Sequence, residues 1–335
     1  MPGYFLKRLL LVVPTVLAVA LVSFGLISLY PGDYYTVHTL AWAMRGMDAA
    51  QEHATRLAVH GLDKPWLVQF RDWTVGLVTR GDLGFSLGSF EPVRDVLFSR
   101  RSGLGWTLII IGTSMFWAWI LGIPLAILSA VTYRSPIDTG ITMAMFLIAA
   151  TPSWILCYLF FFVMWKAIDP LIVAPGCWGI VEWRLAQSPL TWQKAFSHFI
   201  HLIPAWIIVG APMLVLVVRH LRMELLDVLA QPYIRTARGI GLREDAVLRR
   251  HALRNAINPL LSISGYMLTW GITGSILASR FLGMPTFAMT LFRAIKTQDQ
   301  SLLTGIFMVY SVLLIAGSAV SDLLLAMNDP RIRYT

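Results

Sequence analysis

The chain has 335 residues, of which 57% are hydrophobic and only 13% charged, against roughly 45–50% and 25% in an ordinary soluble domain. That shortage of charge excludes a soluble globular class. The formal net charge of +9 would suggest nucleic acid in a soluble protein, but with no basic, aromatic-rich pattern beside it, it fits basic loops at a membrane surface.

Charge is confined to loops. Lys7 and Arg8 precede a charge-free run from Leu9 to Tyr30, too long for a secretory signal and without a convincing cleavage site, so it reads as an uncleaved first helix with its amino end cytoplasmic. Further charge-free windows run from Ser102 to Tyr133, Thr139 to Trp165, Ala195 to Val218, Asn255 to Ser279 and Gln300 to Ser321, each long enough to cross a bilayer. The expectation is an all-α integral membrane protein with six transmembrane helices and both termini in the cytoplasm. It divides into the amino-terminal tail and first span (1–30), an outer lobe (31–101) and a core of five spans (102–335) with a cytoplasmic loop at 219–257.

Basic residues support this orientation. The loop from Arg219 to Arg254 holds eight arginines against four acids, whereas the connection from Pro31 to Arg101 balances eight basic residues with eight acids. Arg134 marks the short inner turn after the second span, and Arg331 and Arg333 mark the tail. The outer lobe carries helix-like stretches near Thr39 to His60 and Lys64 to Thr79, then a turn at Gly81-Asp82-Leu83-Gly84, where Asp82 reads as a turn carboxylate. A second outer connection, Asp169 to Lys194, contains Trp178, Trp183 and Trp192, which suit the membrane interface as anchors.

Charge alone leaves the arginine-rich loop open between a topology signal and a docking surface. Its internal punctuation is informative. Pro232 should end a helix covering about His220 to Ala230, a short helix should cover Tyr233 to Arg238, and Gly239 and Gly241 permit a sharp reversal. In the helix that follows, Leu242, Ala246, Leu253 and Ile257 form an apolar face interrupted by Arg249, with Arg243, Arg250 and Arg254 on another.

The run Tyr233-Ile234-Arg235-Thr236-Ala237-Arg238-Gly239-Ile240-Gly241-Leu242, followed by Arg250-His251-Ala252-Leu253-Arg254-Asn255-Ala256-Ile257-Asn258-Pro259, resembles the cytoplasmic loop of bacterial ABC-importer permeases, in particular the dipeptide, oligopeptide and nickel branch of first-permease type. Pro31-Gly32-Asp33 after the first span, Gly81-Asp82-Leu83-Gly84 with Ser86 and Pro92-Val93, and the tail Asp329-Pro330-Arg331-Ile332-Arg333-Tyr334 are similar as well, so the resemblance covers nearly the whole chain. It implies a type I importer permease fold with a periplasmic lobe between the first two helices, in the bacterial inner membrane. Arg235, Thr236 and Ala237 stand where the Glu-Ala-Ala that names the family's EAA loop would be, with only the second alanine retained.

The resemblance further implies that this segment is a coupling helix seated in a groove of a separate ATP-binding subunit. Ala237 would be small to fit that groove, and Arg235 and Arg238 would meet acids on the partner. Tyr233, Thr236, Gly239, Gly241 and Leu242 complete the contact, and Arg250, His251, Arg254 and Asn255 support it. The implied partners are a second, homologous permease forming a heterodimer, two ATP-binding subunits that carry the ATP and Mg, and a periplasmic solute-binding protein; this chain itself would hold no cofactor. The family pattern breaks after the fifth span, where Ser279-Arg280 and Pro285-Thr286-Phe287-Ala288 replace a glutamate and a Pro-Gly-x-Gly turn, which weakens any inference of cargo among peptides, nickel chelates, opines and oligosaccharides.

Other chemistries lack their residues. No Gly-Lys pair exists to build a phosphate loop, and Glu244 occupies the third position of a dinucleotide fingerprint that no strand precedes. His198 and His201 have no third ligand in view, and no nucleophile and base converge within the spans. An ion-coupled carrier would call for internal repeats and midplane acids; Asp322, near the end of the sixth span, reads as a structural acid close to the headgroups. The fifth span is rich in small and polar residues. Ser262, Ser264, Thr269, Thr273 and Ser275 could line a pathway or, with Gly265, Gly271 and Gly274, allow close helix packing.

Overall fold

The protein was analysed as a computed structural model, which describes residues 2–29, 32, 34–36, 39–167, 179 and 191–329. Helices α1 (Pro2–Ser28), α2 (Thr39–Met44), α3 (Ala49–His60) and α4 (Trp66–Arg80) lead to a small hairpin of β1 (Phe85–Ser86) and β2 (Glu91–Pro92), then to α5 (Val93–Phe98). Next come α6 (Leu104–Val131), α7 (Pro136–Ala150), α8 (Ser153–Ala167), α9 (Trp192–Ala205) and α10 (Ala211–Leu229), with a π-helical turn at Trp206–Gly210 joining the last two. The chain continues through α11 (Pro232–Gly239), α12 (Glu244–Ala246), a second π-helical turn (Val247–Ala252), α13 (Leu253–Ala256), α14 (Asn258–Leu282), α15 (Phe287–Lys296) and α16 (Gln300–Asn328).

Among the described residues, four helical runs are long and apolar enough to cross a membrane: Leu104–Val131, Trp192–Leu229, Asn258–Leu282 and Gln300–Asn328. They coincide closely with the second, fourth, fifth and sixth expected spans, and the fourth runs on without a break through the helix expected from His220. The expected first span falls in α1, whose described apolar stretch, Val12–Ser28, is shorter. The third needs correction. The window from Thr139 to Trp165 is not one rod but α7 and α8, bent by 106°. Pro152 has no N–H and keeps the preceding residue out of the helical region, and Thr151 is extended at φ −92°, ψ 123°. If the bent pair is one span, the count becomes five. Cys177, Trp178, Trp183 and the tail from Pro330 lie outside the described residues, as do Pro31 and Asp33. Trp192 is exposed at the start of α9.

The chain forms two compact units: Trp106–Thr286 with the stretch from Ala316, and Pro2–Gly105 with Phe287–Ile315. In the first, membrane-length helices approach closely because small residues leave room. A β-carbon on Gly122 would stand 2.6 Å from Val217, one on Gly271 2.6 Å from Ile111, and one on Gly265 2.9 Å from the Ser318 backbone. Part of the small-residue pattern in the fifth span is thus explained by packing.

In the second unit, Phe24 of α1 packs against Phe70 and Trp73 of α4, each with ring centroids 5.6 Å apart. Gly81 ends α4 in the left-handed region (φ +64°), and Asp82 serves the turn, its Oδ1 accepting the Gly84 N–H at 2.8 Å. The hairpin that follows pairs Phe85 with Pro92 and Ser86 with Glu91. An acid that the sequence did not single out holds it in place. Asp299, 1% exposed, precedes α16 and accepts the Leu302 N–H (3.0 Å) as a helix cap. Its other oxygen accepts the Ser86 hydroxyl (2.6 Å) and the Gly88 N–H (2.9 Å).

Because Asp299 satisfies three donors, Asp299→Ala is expected to destabilise the protein by about 3 kcal/mol, with Asp299→Asn, which retains an acceptor oxygen, costing less. Thermal unfolding in detergent compares the two variants; equal stability of Asp299→Ala and wild type would remove this role.

Candidate functional site

The arginine-rich loop lies within the first unit and can be built from its local chemistry. Gln231 is extended (φ −68°, ψ 147°), as a residue before proline should be, and Pro232 opens α11 where its missing N–H costs nothing. This short helix buries Ile234 and Ala237, one turn apart, in the protein's own core, which also contains Val247, Ala252 and Ala256. The expectation that Ala237 is small to suit a partner's groove is therefore met by a nearer cause, since its methyl group packs inside this chain. Tyr233, Arg235, Thr236, Arg238, Gly239 and Ile240 remain on the surface.

The helix ends in a Schellman arrangement. The Gly241 N–H donates to the Arg238 carbonyl (3.0 Å) and the Leu242 N–H to the Ala237 carbonyl (3.3 Å), with Gly241 at φ +87°. The reversal thus needs one glycine rather than two, because Gly239 is still helical. Across the turn Arg238 grips Glu244 in a two-point pair, Nε to Oε2 at 3.1 Å and Nη2 to Oε1 at 2.5 Å. The hydrogen bond from Arg238 holds the Glu244 carboxyl below its ordinary range. A lowered carboxyl pKa stabilises the folded state above the ordinary value and loses that contribution as pH falls through the lowered one, so the pair is formed at neutral pH. Both side chains are exposed and the pair is worth at most about 1 kcal/mol. Its effect is on availability: Arg238 already has an acid, whereas Arg235 has none among the described residues.

The strut behind α11 departs from the expected face. The residues that turn inward are Val247, Ala252, Ala256 and Leu260, not Leu242, Ala246, Leu253 and Ile257, which are exposed or only partly buried. The π-helical turn at Val247–Ala252 inserts one extra residue into the helical repeat, so the buried face steps by five from Val247 to Ala252 and then by four to Ala256 and Leu260, out of step with the predicted face on both sides of the turn. Asn255 Nδ2 donates to the Tyr233 hydroxyl (2.9 Å), tying the strut to α11. Arg254 donates to the Asn328 carbonyl (3.3 Å), while Asn328 Nδ2 donates back to the Arg254 carbonyl (2.8 Å) and to Asn258 Oδ1 (2.5 Å). Arg250 is exposed and His251 partly buried.

Upstream, a buried ion pair fixes the root of the loop. Arg222 on α10 donates through Nε to Asp138 Oδ1 (2.8 Å) and through Nη2 to Oδ2 (2.9 Å). The Ser129 hydroxyl donates to Oδ1 (2.5 Å) and accepts from Arg222 Nε (2.9 Å). The Arg134 N–H completes the set on Oδ2 (3.0 Å), reached because Arg134 adopts φ +62° in the tight turn between α6 and α7. Sequence reading passed over this acid, although Asp138 is the only acidic residue between Asp95 and Asp169, an isolation that marks it.

The fifth-span candidates separate on α14. Ser264 and Ser275 are buried; the Ser264 hydroxyl bonds the Leu261 carbonyl (2.7 Å) and Ser321 (3.1 Å), and the Ser275 hydroxyl bonds the Ile272 carbonyl (2.7 Å). Ser262, Thr269 and Thr273 are exposed. Elsewhere, the His198 ring lies 5.5 Å from that of Trp106 and His201 Nδ1 is 2.8 Å from the Ser197 carbonyl oxygen. Asp322 is partly buried on α16, and no group of three metal-ligating side chains occurs among the described residues.

The family model for the binding-protein-dependent transport system inner membrane component matches residues 122–334, more than half of the chain and all of the loop just described. The chain belongs to this family. It is similar along its full length to curated transport permeases. The oligopeptide transport system permease protein AppB of Bacillus subtilis is 31% identical, covering 100% of both chains. The dipeptide transport system permease protein DppB of Escherichia coli is 29% identical, covering 99% of this chain and 98% of the relative. DppB of Alkalihalophilus pseudofirmus is 29% identical over 100% of both. A binding-protein-dependent inner membrane component is a multi-pass permease subunit of an import system and not itself an enzyme, in keeping with the membrane-length helices of this chain.

Two outcomes follow for this permease. Removing either partner of the Asp138–Arg222 pair strands a buried charge, so Asp138→Ala and Arg222→Ala are each expected to cost about 3 kcal/mol, with the double variant costing clearly less than their sum; additive losses in detergent unfolding would show the two residues act separately. At Gly241, where an added β-carbon meets open space but the left-handed backbone disfavours branching, Gly241→Asn should retain uptake and Gly241→Val should lose most of it. Equal uptake by the two would mean that the backbone turn is not what matters.

Proposed function

We propose that this permease forms half of the translocation pathway of an ATP-driven importer and is coupled to a separate ATP-binding subunit through α11. The observation that carries this is the two-sidedness of α11. Ile234 and Ala237 clamp it to the chain's own core, while Arg235 and the hydrophobic Tyr233, Ile240 (72% exposed) and Leu242 face outward on a protein otherwise apolar enough for lipid. A rigid knob with an exposed apolar and cationic surface is suited to a groove rimmed by carboxylates. Closure of the ATP-binding subunits would then move α11, and the helices rooted with it, as one body.

The names of the relatives support di- or oligopeptides as cargo, delivered by a periplasmic binding protein. The proposed complex pairs this chain with a second, homologous permease and two ATP-binding subunits that supply ATP and Mg. Its amino and carboxyl termini and residues 219–257 lie in the cytoplasm, and residues 31–101 form the periplasmic lobe. Ser262, Thr269 and Thr273 face the pathway, whereas Ser264 and Ser275 serve packing.

Purification in mild detergent tests the coupling role. The wild-type chain should carry an ATP-binding subunit with it, Arg235→Glu and Ile240→Asp should reduce that recovery severalfold, and Arg250→Glu should change it little. Undiminished recovery with both Arg235→Glu and Ile240→Asp would place the ATPase contact elsewhere.

A further inference from the structure

The exposed face of α14 is unusual for a helix of membrane length. At about 100° per residue, Ser262, Thr269, Thr273 and Arg280 fall within an arc of about 40°, and all four are exposed, with the exposed Tyr266 and Trp270 along one border. The opposite side, with Leu260, Met267, Gly271, Gly274 and Ala278, is buried. A helix turned toward lipid shows the reverse pattern, so this polar seam faces water or another chain. Two of its hydroxyls are bonded to their own helix, Ser262 to the Asn258 carbonyl (3.2 Å) and Thr273 to the Thr269 carbonyl (3.3 Å). They spend their hydrogens there and leave lone pairs outward.

At the end of the seam away from the coupling loop stands Arg280. It is the only charged residue between Arg254 and Arg293, and no carboxylate of the described residues pairs with it. The Arg238, Arg222 and Arg56 side chains find acids within this chain; Arg280, like Arg235 in the loop, finds none among the described residues. A guanidinium presents a planar donor fork matched to a carboxylate, and here no described acid occupies it.

We infer that Arg280 is a specificity-determining residue that receives a carboxylate of the transported solute at the far end of the α14 seam, so that the pathway favours anionic groups. The inference rests on the reading that the seam lines the pathway. It also commits to cargo: a guanidinium neutralised by a lipid phosphate would have no charge left to offer to the pathway.

The test uses small charged probes in place of the cargo. Thr273→Cys is introduced into the full chain with Cys157→Ala and Cys177→Ala, in membranes with its import partners. The reaction rates of the introduced thiol with an anionic methanethiosulfonate (the ethylsulfonate) and a cationic one (the ethyltrimethylammonium) are compared at low salt. Position 273 lies about 10 Å along the helix from position 280, close enough for the charge to be felt. Arg280→Gln should lower the anionic-to-cationic rate ratio at least about fivefold, and Arg280→Lys should largely keep it. An unchanged ratio in Arg280→Gln, with the introduced thiol still reactive, overturns the role of Arg280 and leaves the seam as a pathway. If that thiol reacts with neither reagent, the seam is not in water, and the pathway reading falls together with the inference.

Discussion

A guanidinium withdrawn from water near the end of a membrane-length helix must be met by an anion, and the loop depends on how this protein meets that demand. Arg222 is bound at two points by Asp138, with Ser129 and the Arg134 amide using the remaining capacity of the carboxylate. Three pieces of the chain, the end of α6, the start of α7 and the later turns of α10, are thereby joined at one point. A network in which the carboxylate accepts from four donors resists partial opening, because a single break leaves a largely buried charge short of a partner. Since α10 leads into the turn before α11, the position of α11 is inherited from this junction.

From there the loop is stiffened in steps of ordinary chemistry. Proline starts α11, a left-handed glycine ends it, and Ile234 and Ala237 bind it to the core. The Arg238–Glu244 pair closes the turn, and the Asn255–Tyr233 bond connects it to the strut. Each contribution is modest, yet together they leave a short helix with little freedom to move apart from the bundle. Rigidity of this kind is what the proposed coupling role of α11 would require.

The second unit repeats the device with a different acid. Asp299 caps α16 and captures the β1–β2 hairpin, so a lobe with a small core gains its order from a buried carboxylate. In both places a single acid gathers donors from segments far apart in sequence. Neither was apparent as a motif, because its partners are supplied by tertiary contact: Ser86 is more than two hundred residues from Asp299, and Arg222 more than eighty from Asp138.

Local rules were enough for much of this protein. Lipid excludes charge, so the charge-free windows revealed most of the long helices. Proline and glycine act through their own backbones, so Pro232 and Gly241 announced the limits of α11 before any contact was known. Where reading failed, a local effect was overridden or its weight misjudged. Pro152 broke the third window in spite of its apolarity, and the π-helical turn at Val247–Ala252 put a five-residue step into the buried face of the strut that a regular 3.6-residue repeat does not anticipate. A helical membrane permease, and the proline and glycine that punctuate its arginine-rich loop, were legible in the order of the amino acids. Which side of each helix is buried was not. Packing sent Ala237, Ser264 and Ser275 inward and left Arg235, Thr273 and Arg280 exposed, because burial belongs to the neighbours a residue acquires and not to the residue alone.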